Sequence, residues 1–116
     1  MRRGREQARL IDAKKRENIQ KINQCKSTNN YKLFIESSNI VNTRNSIKVA
    51  KDVLKEEDRL QSISGVTRLD RRYTAAKIIE NGQKYLNQSY AKYKQLGGSA
   101  SSVANVTVLN NPCKGL

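Results

Sequence analysis

Positive charge gathered in short runs is the plainest chemistry in this sequence: Arg2-Arg3-Gly4-Arg5, Lys14-Lys15-Arg16, and the trio Arg68, Arg71 and Arg72. Guanidinium and ammonium groups neutralise phosphates and release the counterions condensed on a nucleic acid, a term indifferent to base sequence. Reading bases would need a recognition unit shaped for a groove, and no such unit is legible. Arg2, Arg3, Arg5, Lys14, Lys15, Arg16, Arg68, Arg71 and Arg72 are therefore the candidate contacts to a nucleic-acid backbone or to an acidic protein surface. Tyr85, Tyr90 and Tyr93 could stack on bases. Their helical spacing fits packing against a neighbouring helix better.

Other chemistry finds few residues to work with. Histidine is absent from all 116 residues, which removes the commonest metal ligand and the usual general base near neutral pH. No phosphate-cradling glycine loop and no nucleophile–base arrangement occurs. The expectation is a non-enzymatic protein with no cofactor, no metal and no small-molecule substrate. Cys25 and Cys113 lie at opposite ends of the chain without a nearby Cys or His, so zinc-ligand spacing is missing. Two free thiols in a reducing compartment are expected.

The balance of 23 Lys and Arg against 10 Asp and Glu gives a net charge of +13. A compact form so charged repels itself and seeks polyanions or an acidic partner. With 36% hydrophobic residues, one Phe and no Trp, a sizeable core is not expected. No apolar run approaches the roughly 20 residues that cross a bilayer. The Arg-rich start is interrupted by Glu6, Asp12 and Glu17 and followed by no apolar signal core, so it reads as part of the mature protein.

The elements that must position these charges are helices. From Thr67 to Leu96, Leu69, Tyr73, Ala76, Ile79, Leu86, Tyr90, Tyr93 and Leu96 recur at helical spacing. Thr67 with Asp70 reads as a capping box at its start, and Gly97-Gly98 as its stop. At about 1.5 Å per residue this rod would be about 45 Å long. Before it, Ile47, Ala50, Leu54, Leu60 and Ile63 trace a second helix carrying the acids Asp52, Glu56, Glu57 and Asp58. The short connection around Gly65 predicts an antiparallel hairpin that sets the acidic helix beside the basic one. Beyond the hairpin's overlap the tyrosine-rich end of the long helix would protrude unmatched.

Residues 1–26 read as a charged helix with a thin stripe of Ala8, Ile11, Ile19, Ile22 and Cys25, broken by Lys15. Ser27-Thr28-Asn29-Asn30 stops it. Residues 27–46 read as a polar linker with a short apolar patch, Tyr31 to Ile35, whose conformation the sequence leaves open between a helical turn, a strand and a frayed helix. Residues 47–96 form the hairpin, and residues 97–116 a flexible joint with an extended tail that becomes ordered by docking on something. The predicted class is all-α: an elongated helical hairpin with an extra N-terminal helix and an extended C-terminal tail. Ile47, Leu54, Leu60, Leu69, Ile79, Leu86, Tyr90 and Tyr93 are the expected packing surface between subunits.

In texture the chain resembles the internal virion proteins of short-tailed phages, which sit above the portal and are ejected with DNA. The resemblance rests on the charged, Gln- and Asn-containing opening Arg2 to Lys26 and the turn Ser62-Ile63-Ser64-Gly65-Val66. It rests also on the Arg68–Tyr73 helix start and the run Tyr90-Ala91-Lys92-Tyr93-Lys94-Gln95-Leu96-Gly97-Gly98-Ser99. It implies a structural subunit of the virion, made in the host cytoplasm and packed in many copies near DNA, with a part in genome ejection. The competing reading is a small basic ribosomal or RNA-binding protein.

Overall fold

The computed structural model describes the backbone of residues 2–116 and the side chains from residue 4 onward. Three helices follow one another: α1 (Arg2–Lys26), α2 (Asn29–Ser64) and α3 (Leu69–Gln95), then a single 3-10 turn, Val103–Asn105. The protein is an all-α, elongated hairpin of α2 and α3 with α1 projecting and a tail folded back. It measures 79 × 38 × 17 Å.

The predicted linker over 27–46 is not one. Thr28 ends α1 and begins α2: its Oγ1 accepts the Tyr31 N–H at 3.3 Å, so the Ser/Thr/Asn run that breaks one helix caps the next. The patch Leu33, Phe34, Ile35 then belongs to a continuous helix whose inward side is Leu33, Ser37, Ile40, Arg44, Ile47, Ala50, Leu54 and Glu57. Because α2 starts so early, it is long enough to cover all of α3. The protruding tyrosine end expected from the sequence is therefore absent; Tyr93 is buried and Tyr90 half-buried against α2 and the tail.

Two helix-start expectations also change. Thr67 makes no capping box; α3 begins one residue later, after Arg68, which caps with no side-chain bond because its guanidinium is turned onto α2. The inward face of early α3 is correspondingly Arg72, Ala75, Ile79 and Gly82, continuing to Leu86, Ser89 and Tyr93, alternating steps of three and four. Leu69 and Tyr73 point outward, at 73% and 65% exposure, and Ala76 is exposed too. Gly82 permits close approach, since a Cβ there would stand 2.8 Å from Ile47 Cγ1.

The core sits where three segments meet: Ile40 of α2, Tyr93 of α3 and Val106 of the tail, ringed by Leu33, Leu86, Tyr90, Ala100 and Val103. A Schellman stop reverses the chain. Gly97, at φ +93°, sends its N–H to Lys94 O, and Gly98 N–H donates to Tyr93 O at 2.9 Å. The Tyr93 ring lies over Gly98, and any Cβ there would overlap it. Polar bonds then stitch the tail down. Tyr90 Oη donates to Ala100 O at 3.0 Å, Ala100 N–H to Tyr93 Oη at 3.1 Å, and Leu109 N–H to Ser37 Oγ at 3.1 Å. Arg44 Nη1 donates to Val103 O, Ala104 O and Val106 O at 2.8, 3.1 and 3.0 Å, gathering the carbonyls of the 3-10 turn and its exit. The tail thus docks on its own hairpin, and its Val-Thr-Val alternation forms no strand among the described residues.

The expected free thiols are also corrected. Cys25 at the end of α1 and Cys113 in the tail are joined in a disulfide, with Cα atoms 5.8 Å apart. Sequence separation hides this proximity, which arises only once the tail has run back along α2 to the α1–α2 corner. Joining residues 88 apart restricts the unfolded chain by about 4–5 kcal/mol on a loop-closure argument. The double variant Cys25→Ser/Cys113→Ser is expected to lose about 2–4 kcal/mol of unfolding free energy in urea, with a steeper transition as the unfolded chain expands. An unchanged midpoint would show that noncovalent contacts alone hold the tail.

Candidate nucleic-acid interface

The cationic side chains fall into two groups with different surroundings. Helix α1 is clear of the hairpin over most of its length: every described side chain from residue 5 to 24 is exposed except half-buried Ile22. At 100° per residue, Arg5, Arg9 and Arg16 share one face with Asp12 among them, and Lys14 and Lys21 lie nearly opposite. Lys15 interrupts the apolar stripe that runs between these two faces. Among the described residues, the ion pair within α1 is Lys21 with Glu17 at 3.8 Å. Arg5, Lys14, Lys15 and Arg16, predicted as backbone contacts, are thus held on a solvated helix without an acid partner there. The side chains of Arg2 and Arg3 lie outside the described residues. Arg9 escaped the sequence reading because it stands alone rather than in a run, although its spacing to Arg5 puts it on the same face.

Arg68, Arg71 and Arg72 are spent on another task. Glu57 of α2 is 2% exposed. Arg68 embraces its carboxylate with two parallel bonds, Nε to Oε2 at 3.0 Å and Nη2 to Oε1 at 2.5 Å, while Arg71 Nε approaches Oε1 at 3.6 Å. Arg72 reaches Asp58 Oδ1 and Gln61 Oε1, each at 2.7 Å. The fork geometry of guanidinium suits this role. The acids that the sequence sets opposite the basic helix bind its opening arginines, so these close the tip of the hairpin instead of offering a free cationic face.

The expected subunit-packing residues are also mostly used internally. Ile47 and Tyr93 are buried in the hairpin; Leu54, Leu60, Ile79, Leu86 and Tyr90 are half-buried, and Leu69 is exposed. What remains open is a groove of about 710 Å³ beside the seam, between Val49 and Val53 of α2 and Thr74 and Ile78 of α3, floored by Ala50 and Ala75. A smaller cleft of about 340 Å³ is lined by Ile47, Leu86, Gln83, Arg44, Lys48 and Lys51. Helical phase puts Lys48 and Lys51 on the flank away from Val49 and Val53. Hence the hairpin has an apolar flank and a basic flank. Among the described residues no helix is long and apolar enough to cross a membrane, and no group of three acids or cysteines gathers at metal-binding distance.

Hydrogen bonding shifts several surface groups. The Arg59 guanidinium holds the Glu56 carboxyl below its usual range, Lys77 does the same for Glu80, and Glu57 raises Arg68 further above its ordinary value. For Glu56 and Glu80 the folded state binds its proton less readily than the unfolded chain. Their small contribution is present above the ordinary carboxylate pKa and fades as pH falls through the folded value.

Replacing Glu57 by Gln removes the charge that Arg68 and Arg71 share while keeping the side chain's size. The expected cost is roughly 1–3 kcal/mol of unfolding free energy, tempered by the partial exposure of both arginines. Thermal unfolding measures it, and a melting temperature equal to the wild type would show that the clamp is not stabilising. No protein-family model, curated protein or solved structure matches the chain.

Proposed function

We propose that this protein is a non-enzymatic structural subunit of a large nucleoprotein assembly, with α1 as the arm that meets nucleic-acid phosphates. The observation that carries the proposal is the state of that helix. The stretch from Arg2 to Lys26 holds nine basic and three acidic residues, and its side chains from residue 5 to 21 are all exposed. An isolated helix draws little stability from propensity alone, and a concentrated cationic face relieves its repulsion by displacing counterions from a polyanion. Lys48 and Lys51 on the basic flank of the hairpin add further cations. In its most specific form the reading is a phage virion component near packaged DNA, present in many copies and involved in genome ejection, as the resemblance implies. The small basic ribosomal or RNA-binding protein is the second reading, and the exposed backbone-contacting charge serves it equally.

Binding to a duplex of about 20 base pairs, titrated by fluorescence anisotropy across salt concentrations, tests the proposal. The logarithm of affinity should fall linearly with the logarithm of salt. The triple variant Arg9→Gln/Lys14→Gln/Arg16→Gln should shallow that slope by about 2–3, near 0.9 for each phosphate that the variant leaves unneutralised. Arg71→Gln, taken from the hairpin clamp, should leave the slope within error. A triple variant with the wild-type slope would remove α1 from the interface. Tighter binding to single-stranded or folded RNA than to duplex DNA would favour the second reading.

A further inference from the structure

We infer that the groove between Val49 and Val53 of α2 and Thr74 and Ile78 of α3 receives helix α1 of a second copy of this chain. The inference deepens the assembly reading above and rests on it. Groove and arm each carry exposed apolar side chains aligned along a helix axis. In the groove Val49 is 62% and Ile78 43% exposed, over a floor of Ala50 and Ala75 that admits a third helix closely. On α1, Ile11 and Ile19 are 54% and 56% exposed, and with Ala8 and Ile22 they form one stripe in two halves, separated by Lys15, whose long stem lets its ammonium reach out past the groove. A helix laid along a two-helix groove, its anchors repeating every three or four residues, is a common way of burying such a stripe.

Charge complementarity selects the occupant. Asp70 lines the groove on one side and Asp52 stands beside Val53 on the other; among the described residues neither forms an ion pair. Arg5 and Lys14 flank the α1 stripe on its two sides, so a docked α1 brings a cation to each rim. Arg71, which also lines the groove, is already turned to Glu57. Arg9, turned furthest from the stripe on that side, then faces outward, where the proposed nucleic-acid contact needs it.

The chain's own α1 is held away from its groove. The disulfide fixes Cys25 beside the tail, and α1 leaves from the N-terminal end of α2. The groove residues of α2 begin at Asn45, about 25 Å further along the helix at 1.5 Å per residue. Overall length agrees with this direction: 79 Å exceeds the span of about 54 Å that α2 provides by itself. Donor and acceptor surfaces therefore sit at different ends of one chain. Such a head-to-tail contact builds rings or filaments from identical copies.

Complementation between two variants tests this. Ile11→Asp/Ile19→Asp disables the arm and Val49→Asp/Ile78→Asp disables the groove; all four sites are solvent-exposed, and circular dichroism checks that each variant folds. Native mass at high salt, free of nucleic acid, should show the full-length wild type as an oligomer and each variant as a monomer, with self-affinity weakened roughly a hundredfold or more. A mixture of the two retains one intact arm and one intact groove, and should form a one-to-one dimer and nothing larger. A wild type that stays monomeric to about 100 µM, a variant that assembles like the wild type, or a mixture that remains monomeric would overturn the inference. The groove variant keeps every α1 cation, so its salt-dependent DNA binding reports on the functional reading separately. Assembly without DNA affinity would sink only that reading, and DNA affinity without assembly would sink only this inference.

Discussion

A chain with this little apolar mass cannot close a core between two helices alone, and the place where it does close is the meeting of Ile40, Tyr93 and Val106. Tyr93 is the pivot. Its ring fills the space over Gly98, its hydroxyl accepts the Ala100 N–H, and its neighbour Tyr90 binds the Ala100 carbonyl. Those contacts steer the chain out of α3 and back across α2, where Arg44 gathers three carbonyls and Ser37 a fourth backbone group. The tail arrives at the α1–α2 corner only because of this route. The disulfide, and with it the placement of α1, depends on the same junction.

Charge is sorted along the molecule's length. At the tip, Glu57 and Asp58 are matched against Arg68, Arg71 and Arg72, so a stretch that is rich in cations contributes little free positive field. At the other end, α1 holds its cations with few acids near them. Of the net charge of +13, +6 lies on the arm (nine cations less three acids), and the lysines of the Lys48–Lys51 flank, of later α3 and of the tail supply most of the rest, while the hairpin tip is close to balanced. Neutralising the tip lets two helices pack there; concentrating charge on the arm gives it reach toward a polyanion.

Much of the architecture was legible from spacing. The stop of α1 at Ser27-Thr28, the Gly65 turn, the Gly97-Gly98 stop and the pairing of an acidic helix with a basic one all follow from local residue types. Three features were not. The start of α2 at Thr28 is ambiguous because a Ser/Thr/Asn run ends and begins helices by the same hydrogen bonds. The phase of early α3 is misread because Arg68 and Arg72 occupy inward positions normally held by apolar side chains, so Leu69 and Tyr73 mimic the stripe. The tail's destination is set by contacts with residues some 60 to 72 positions away, which no local pattern encodes. Of the candidate contacts, the exposed helical setting of Arg5, Lys14, Lys15 and Arg16 could be read from sequence; that Arg68, Arg71 and Arg72 had partners could not, since Glu57 becomes buried only after the hairpin closes.

The bond between Cys25 and Cys113 also defines how the molecule would carry tension. A pull applied between α1 and the C-terminal end runs through the covalent link and bypasses the chain between two cysteines 88 positions apart. The hairpin hangs from that line as a side loop, mechanically unloaded, and its noncovalent seam is spared from forced unzipping. Reducing the bond would put the Tyr93 junction and the whole of α2 and α3 in series with the load.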